Sequence, residues 1–217
     1  MKRPGRGEQA VRNNEAILTA AREILLADPR APVAAVAERA KVGIGALYRR
    51  YPSKEELLRT ICHDGLRTFI AEAERAGPEP DDWVALATFL RGVVRADVHS
   101  LTVHLAGTFT PTPEMGADAR RSGVLATALV ARAHESGRLR PDATVGDVGM
   151  ILEMCAAVRV PDAARTQTLR RRYLSLLLAG LSTSPEPADL PGPPPTDEDS
   201  RHRWRRAEQR VPGPTTG

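Results

Sequence analysis

The chain has 217 residues, of which 41% are hydrophobic and 27% charged. That balance fits a soluble globular protein and excludes a disordered chain. No apolar run approaches the roughly 20 residues a membrane helix needs, and the charged start Met1-Lys2-Arg3 leads into no signal-peptide core, so no membrane partner is expected and the expected compartment is the cytoplasm. Two lone cysteines, Cys62 and Cys155, exclude a disulfide framework and a structural zinc site.

In chain order, Gln9–Ala27 reads as a first helix, because Ile17, Ala21, Ile24 and Leu25 recur on one stripe. Asp28-Pro29 stops it. A short helix over Val33–Ala40 opens near Pro32 and breaks at Lys41-Val42-Gly43. A second short helix, Ile44–Tyr51, ends at Pro52. Ser53-Lys54-Glu55-Glu56 then matches a capping box, opening a longer helix that runs to about Ala76. Gly77-Pro78-Glu79-Pro80 marks a boundary.

Beyond it, Asp81–His99 reads as one helix, and the segment from Leu101 to Thr108 either continues it or bends away. Residues 115–136, Thr144–Val158 and Arg165–Leu181 complete the helical pattern. The last is apolar nearly all round, so it is either central in its subunit or shared with a neighbour. Strand signals are nearly absent. From Ser184 the proline content leaves little capacity for a core, and residues 184–217 are expected to be a disordered tail. The expected fold is therefore all-α, with a three-helix domain at 9–52, a helical domain at 53–183 whose first helix is a connector, and that tail.

The net charge of +4 is informative mainly through its placement. Lys2, Arg3, Arg6 and Arg12 crowd the start, while Lys41, Arg49, Arg50 and Lys54 fall in one short stretch. Both patches suit phosphate contact. Two short helices joined by a three-residue turn, the second carrying an aromatic and arginines, form the layout of a helix-turn-helix.

Here the residues resemble a known family. Val36-Ala37, Ala40-Lys41-Val42-Gly43 and the run Leu47-Tyr48-Arg49-Arg50-Tyr51-Pro52-Ser53-Lys54-Glu55-Glu56-Leu57 resemble the N-terminal domain of the tetracycline-repressor (TetR) family of bacterial regulators. Three departures stand out: Lys41 replaces a usual turn glycine, Gly43 a capping serine, and Ala46 a common threonine. The resemblance implies that Tyr48 and Lys54 contact phosphates, and that Ile44, Gly45, Ala46 and Arg50 face the groove. A guanidinium reads guanine O6/N7 well, so Arg50 is the expected base reader and Arg49 a second.

The resemblance also implies a homodimer paired through the last two helices on a palindromic double-stranded DNA operator, and a small-molecule effector, largely apolar, held among the middle helices. By residue type, Trp83, Phe89, His99, His104, Phe109, Met150, Met154 and Cys155 are its candidate pocket lining, although each also suits a plain core. No catalytic set, nucleotide loop, metal-ligand spacing or cofactor motif stands out. The expected function is a ligand-released repressor, not an enzyme. The alternative is a DNA-binding protein without an effector, acting architecturally or through protein partners.

Overall fold

The computed structural model describes residues 6–105, 107–184 and 190–196, apart from the side chains of residues 6–8 and 102–104. Among them the elements are helices: α1 Arg6–Ala27, α2 Val33–Arg39, α3 Ile44–Arg50, α4 Lys54–Ala76, α5 Asp82–Ala96, α6 Val98–Leu105, α7 Pro113–Glu135, α8 Val145–Ala157 and α9 Ala163–Leu181. The chain divides into two compact units. The first holds the described residues through Pro78 together with Ala96–Ala128; the second holds Glu79–Arg95 together with the described residues from Leu129 onward.

The first unit is built on the predicted stripe of α1. Ile17, Ala21 and Leu25 are buried with Val36 and Ala37 of α2, Leu47 of α3 and Leu57 and Ile61 of α4. Removing that apolar surface from water is the main force holding four helices together. Asp28 closes the end of α1 by accepting the Arg30 backbone N–H at 2.9 Å. α6 also packs on α4, where Gly65 permits a close approach: a Cβ there would lie 3.1 Å from Leu101 Cδ1.

Two local expectations change. Asp81–His99 is not one helix: α5 ends at Ala96, Asp97 takes a left-handed backbone with φ 53°, and α6 starts at Val98. An aspartate tolerates that conformation better than most residues, and its carboxylate bonds the Ser100 hydroxyl one turn on. The capping box before α4 is half formed. Ser53 Oγ accepts the Glu56 N–H at 3.1 Å, but the Glu56 carboxylate pairs with Arg59. A complete box opens α8 instead, between Thr144 and Asp147.

In the second unit, Gly137 with φ 70° turns the chain after α7, and Leu139 then bridges antiparallel to Ser182 beyond α9. Arg170 of α9 is buried, and its guanidinium donates to the carbonyls of Ala156 and Val158, each at 3.0 Å. Those are orphan acceptors at the end of α8, where a cation also suits the helix dipole. Residues 190–196, part of the tail expected to lack structure, return along α9. Arg165 donates to the carbonyls of Pro193 and Pro194 at 3.1 and 2.7 Å, and Arg172 to that of Gly192 at 2.8 Å.

Candidate nucleic-acid interface

The two short helices owe their arrangement to one buried residue and one strained one. Leu47 is 0% exposed and anchors α3 to the core. Lys41, standing in place of a turn glycine, takes φ 55°, so the turn keeps its left-handed geometry despite the side chain. Gly43 caps α3 without a side-chain hydrogen bond, as loss of the usual serine requires. With Leu47 turned inward, helical geometry turns its neighbours outward. Ile44 is 43% exposed and Tyr48 47%; Gly45, Arg49 and Arg50 are exposed as well, and Ala46 is half-buried. The predicted reading residues therefore share the solvent side of α3, and Tyr48 is a surface ring rather than a core one.

The cations differ in their freedom. Arg50 Nε donates to Asn14 Oδ1 of α1 at 3.2 Å, and its guanidinium lies 5.5 Å from the centroid of the Tyr51 ring. Tyr51 is buried, and its hydroxyl donates to the same Asn14 oxygen at 2.7 Å. Burial pushes the phenol above its ordinary value, against the pull of the Arg50 cation, so it stays a donor. Lys54 Nζ donates to the Ala31 carbonyl in the α1–α2 turn at 2.7 Å, leaving two ammonium protons for other acceptors. Arg49 makes no hydrogen bond or ion pair among the described residues. The sequence reading missed Asn14, which stands 36 positions before Arg50; its only local signal is a polar residue one turn ahead of Ile17.

This geometry has known counterparts. The profile of the tetR family of bacterial regulatory proteins matches residues 17–61, and that of the SbtR-like transcriptional regulator C-terminal domain matches residues 80–183. The chain belongs to the TetR family of transcriptional regulators. It is a DNA-binding regulator, from a family of transcription factors rather than of enzymes. Comparison with curated protein sequences returns no match.

Solved TetR-family structures share the fold. LfrR from Mycobacterium smegmatis, in complex with proflavine, is 23% identical with a TM-score of 0.61, covering 82% of this chain and 99% of its own. PfmR from Thermus thermophilus is 22% identical with a TM-score of 0.59, covering 75% and 96%. A gamma-butyrolactone receptor is 18% identical with a TM-score of 0.59, covering 94% and 100%.

The residues predicted to line an effector pocket are divided between the two units of this TetR-family chain. Phe109 packs against the core of the first unit, to which His99 also belongs. The His104 side chain lies outside the described residues. Phe89 and Cys155 are buried in the second unit, and burial pushes the Cys155 thiol up to about 11. Met150 and Met154 instead lie on the surface of α8, 55% and 48% exposed. Trp83 does line a cavity, of about 230 Å³, within the second unit. Its partners there include Arg91 and Arg138, two cations the sequence reading passed over. Among the described residues no helix is long and apolar enough to cross a membrane.

Proposed function

We propose that this regulator is a homodimeric repressor that holds a palindromic operator through paired α3 helices and releases it when a small-molecule effector binds. The observation that carries the reading is the exposed face of α3, with Ile44, Tyr48, Arg49 and Arg50 outward over a fully buried Leu47. A helix so presented suits the major groove. There Arg50 is the reader of a guanine edge, steadied by Asn14; Ile44, Gly45 and Ala46 approach the bases; Tyr48 and Lys54 hold phosphates.

One such module buries too little surface for tight specific binding, which is why pairing belongs to the proposal. The partner face is that of α8 and α9. Met150, Met154 and Leu176 are large apolar side chains about half exposed there, and Tyr173, Leu176, Leu177 and Gly180 follow helical spacing along α9. Two copies joined symmetrically would offer their α3 helices to half-sites about 34–36 Å apart. Effector control is carried over from the similar structures, one solved with proflavine and another a gamma-butyrolactone receptor. An effector that prefers a dimer whose reading heads no longer match that spacing lowers operator affinity by shifting the population.

Selection of bound sites from random duplexes with the purified protein tests this. A palindromic consensus with half-sites one helical turn apart is expected. An asymmetric single-site consensus, or no consensus, would overturn the paired-reader geometry.

A further inference from the structure

We propose that the cavity walled by Trp83, Arg91 and Arg138 is the effector site, and that it takes a small organic acid: a carboxylate carried on a flat apolar body. The inference rests on the reading of this chain as a ligand-controlled regulator and names the ligand class. All the lining residues belong to the second unit. Trp83, Ala87 and Arg91 recur every fourth residue of α5, so they present one face. Leu178 and Ser182 close the opposite wall from α9 and its end, and Arg138 enters from the turn after α7.

The charge of this cavity is only partly compensated. Arg91 is exposed and makes no hydrogen bond or ion pair among the described residues. Arg138 forms a loose ion pair with Asp81, whose carboxylate lies 3.7 Å from Nη1, too far for a hydrogen bond. Arg138 Nε is buried with no hydrogen-bond partner among the described residues. A buried N–H without an acceptor is costly, and an anion drawn into the cavity would remove that cost. A guanidinium presents a planar fork that matches a carboxylate bidentately.

The rest of the wall sets the body of the ligand. The Trp83 indole offers a flat face for an aromatic ring, while Ala87 and Leu178 supply apolar contact. A cavity of about 230 Å³ is smaller than the ~300–1,000 Å³ of drug-sized sites. It therefore suits a small acid. A neutral apolar compound would leave Arg91 and the buried Arg138 Nε unanswered, and a bare inorganic anion would leave the indole uncovered.

Isothermal titration of the full chain with benzoate, phenylacetate and indole-3-acetate tests this, with phenylacetamide and inorganic phosphate as controls and displacement of an operator duplex followed in parallel. At least one acid should bind, and phenylacetamide should bind about tenfold more weakly than phenylacetate. Arg91→Gln and Arg138→Gln should each weaken the acid about tenfold, as loss of a charge-assisted bond implies. Arg91→Gln is the decisive variant because its side chain holds nothing among the described residues, so its melting temperature should not move.

No binding by any of the three acids, equal binding of acid and amide, phosphate binding as well as the acids, or acid binding unaffected by Arg91→Gln would each overturn the site. Acid binding that depends on Arg91 but leaves operator affinity unchanged supports the ligand class and overturns the effector role. Operator release by a neutral compound, identical in wild type and Arg91→Gln, keeps effector control and overturns this cavity as its seat.

Discussion

Arg50 and Asn14 are joined across α3 and α1: the guanidinium Nε donates to the side-chain oxygen at 3.2 Å, and that oxygen also accepts the Tyr51 hydroxyl at 2.7 Å. One acceptor thus steadies both the proposed base reader and a core phenol. Asn14→Ala would strip the phenol of its partner while leaving the ring buried. A loss of about 1–3 kcal/mol in urea denaturation is expected, since a buried donor left unpaired bears its desolvation cost. Combined with Tyr51→Phe, the two losses should add to less than their sum, by at least about 0.5 kcal/mol. Strict additivity would mean that the two groups do not interact.

The three cations around α3 should separate in DNA-binding measurements. Arg50→Ala should relax discrimination at one base position by about 1–3 kcal/mol. Lys54→Ala should weaken binding to every duplex and lower the salt slope by about 1, and it should also lower stability, because the Ala31 carbonyl loses its donor. Arg49→Ala should leave the melting temperature unchanged, since Arg49 bonds nothing among the described residues. If Arg50→Ala and Lys54→Ala both bind the selected operator as wild type does, these residues do not form the interface.

Acid should loosen the attachment of the loop before α7 to the start of α4. The Glu55 carboxylate accepts the Thr110 N–H at 3.0 Å, and Arg59 donates to the Thr110 carbonyl at 3.0 Å. The Thr110 N–H, and secondarily the Arg59 cation, hold the Glu55 carboxyl below its ordinary value of 4.5. A carboxyl lowered on folding contributes stability that is fully present above its unfolded value and is lost as pH falls through the folded one. Melting curves from about pH 5 down to about pH 3 should therefore drop less steeply for Glu55→Gln than for wild type. Parallel curves would remove Glu55 from that acid response.

Arg170 is the side chain on which the end of α8 depends. Arg170→Met keeps most of the apolar stem but leaves the carbonyls of Ala156 and Val158 without their donor. A loss of about 1.5–3 kcal/mol is expected for each charge-assisted bond removed. Arg170→Lys should recover only part of it, because one ammonium cannot reproduce the planar fork. Full recovery by lysine would show that charge alone matters there.

How much of this was legible follows from how local each feature is. The turn and α3 were readable because Leu47, Tyr51, Pro52 and Ser53 act on near neighbours, and even the strain at Lys41 followed from a missing glycine. The break at Asp97 was not, since neither glycine nor proline marks it and a left-handed aspartate leaves no periodic trace. Pocket residues chosen by type are divided between core and surface for a related reason. Met150 and Phe89 look alike among apolar residues in a sequence, yet tertiary packing sends one to the surface and the other to the core. Arg91 and Arg138 read as ordinary surface charge until the fold sets them around Trp83.

The paired assembly is the proposal most open to a single substitution. Leu176 is 47% exposed on α9 and Met150 55% exposed on α8, so neither holds its own subunit together. A glutamate at either place should leave the protomer folded, with helicity and melting little changed, because surface substitutions shift stability by roughly 0.5 kcal/mol or less. In a symmetric interface the same change appears twice, setting two carboxylates in an apolar contact that offers them no partner. Sedimentation of Leu176→Glu and Met150→Glu should therefore show a shift from dimer to monomer. Operator affinity should fall with it, because each half-site is then bound by a separate molecule. Variants that stay dimeric and keep full operator binding would place the pairing surface elsewhere than α8 and α9.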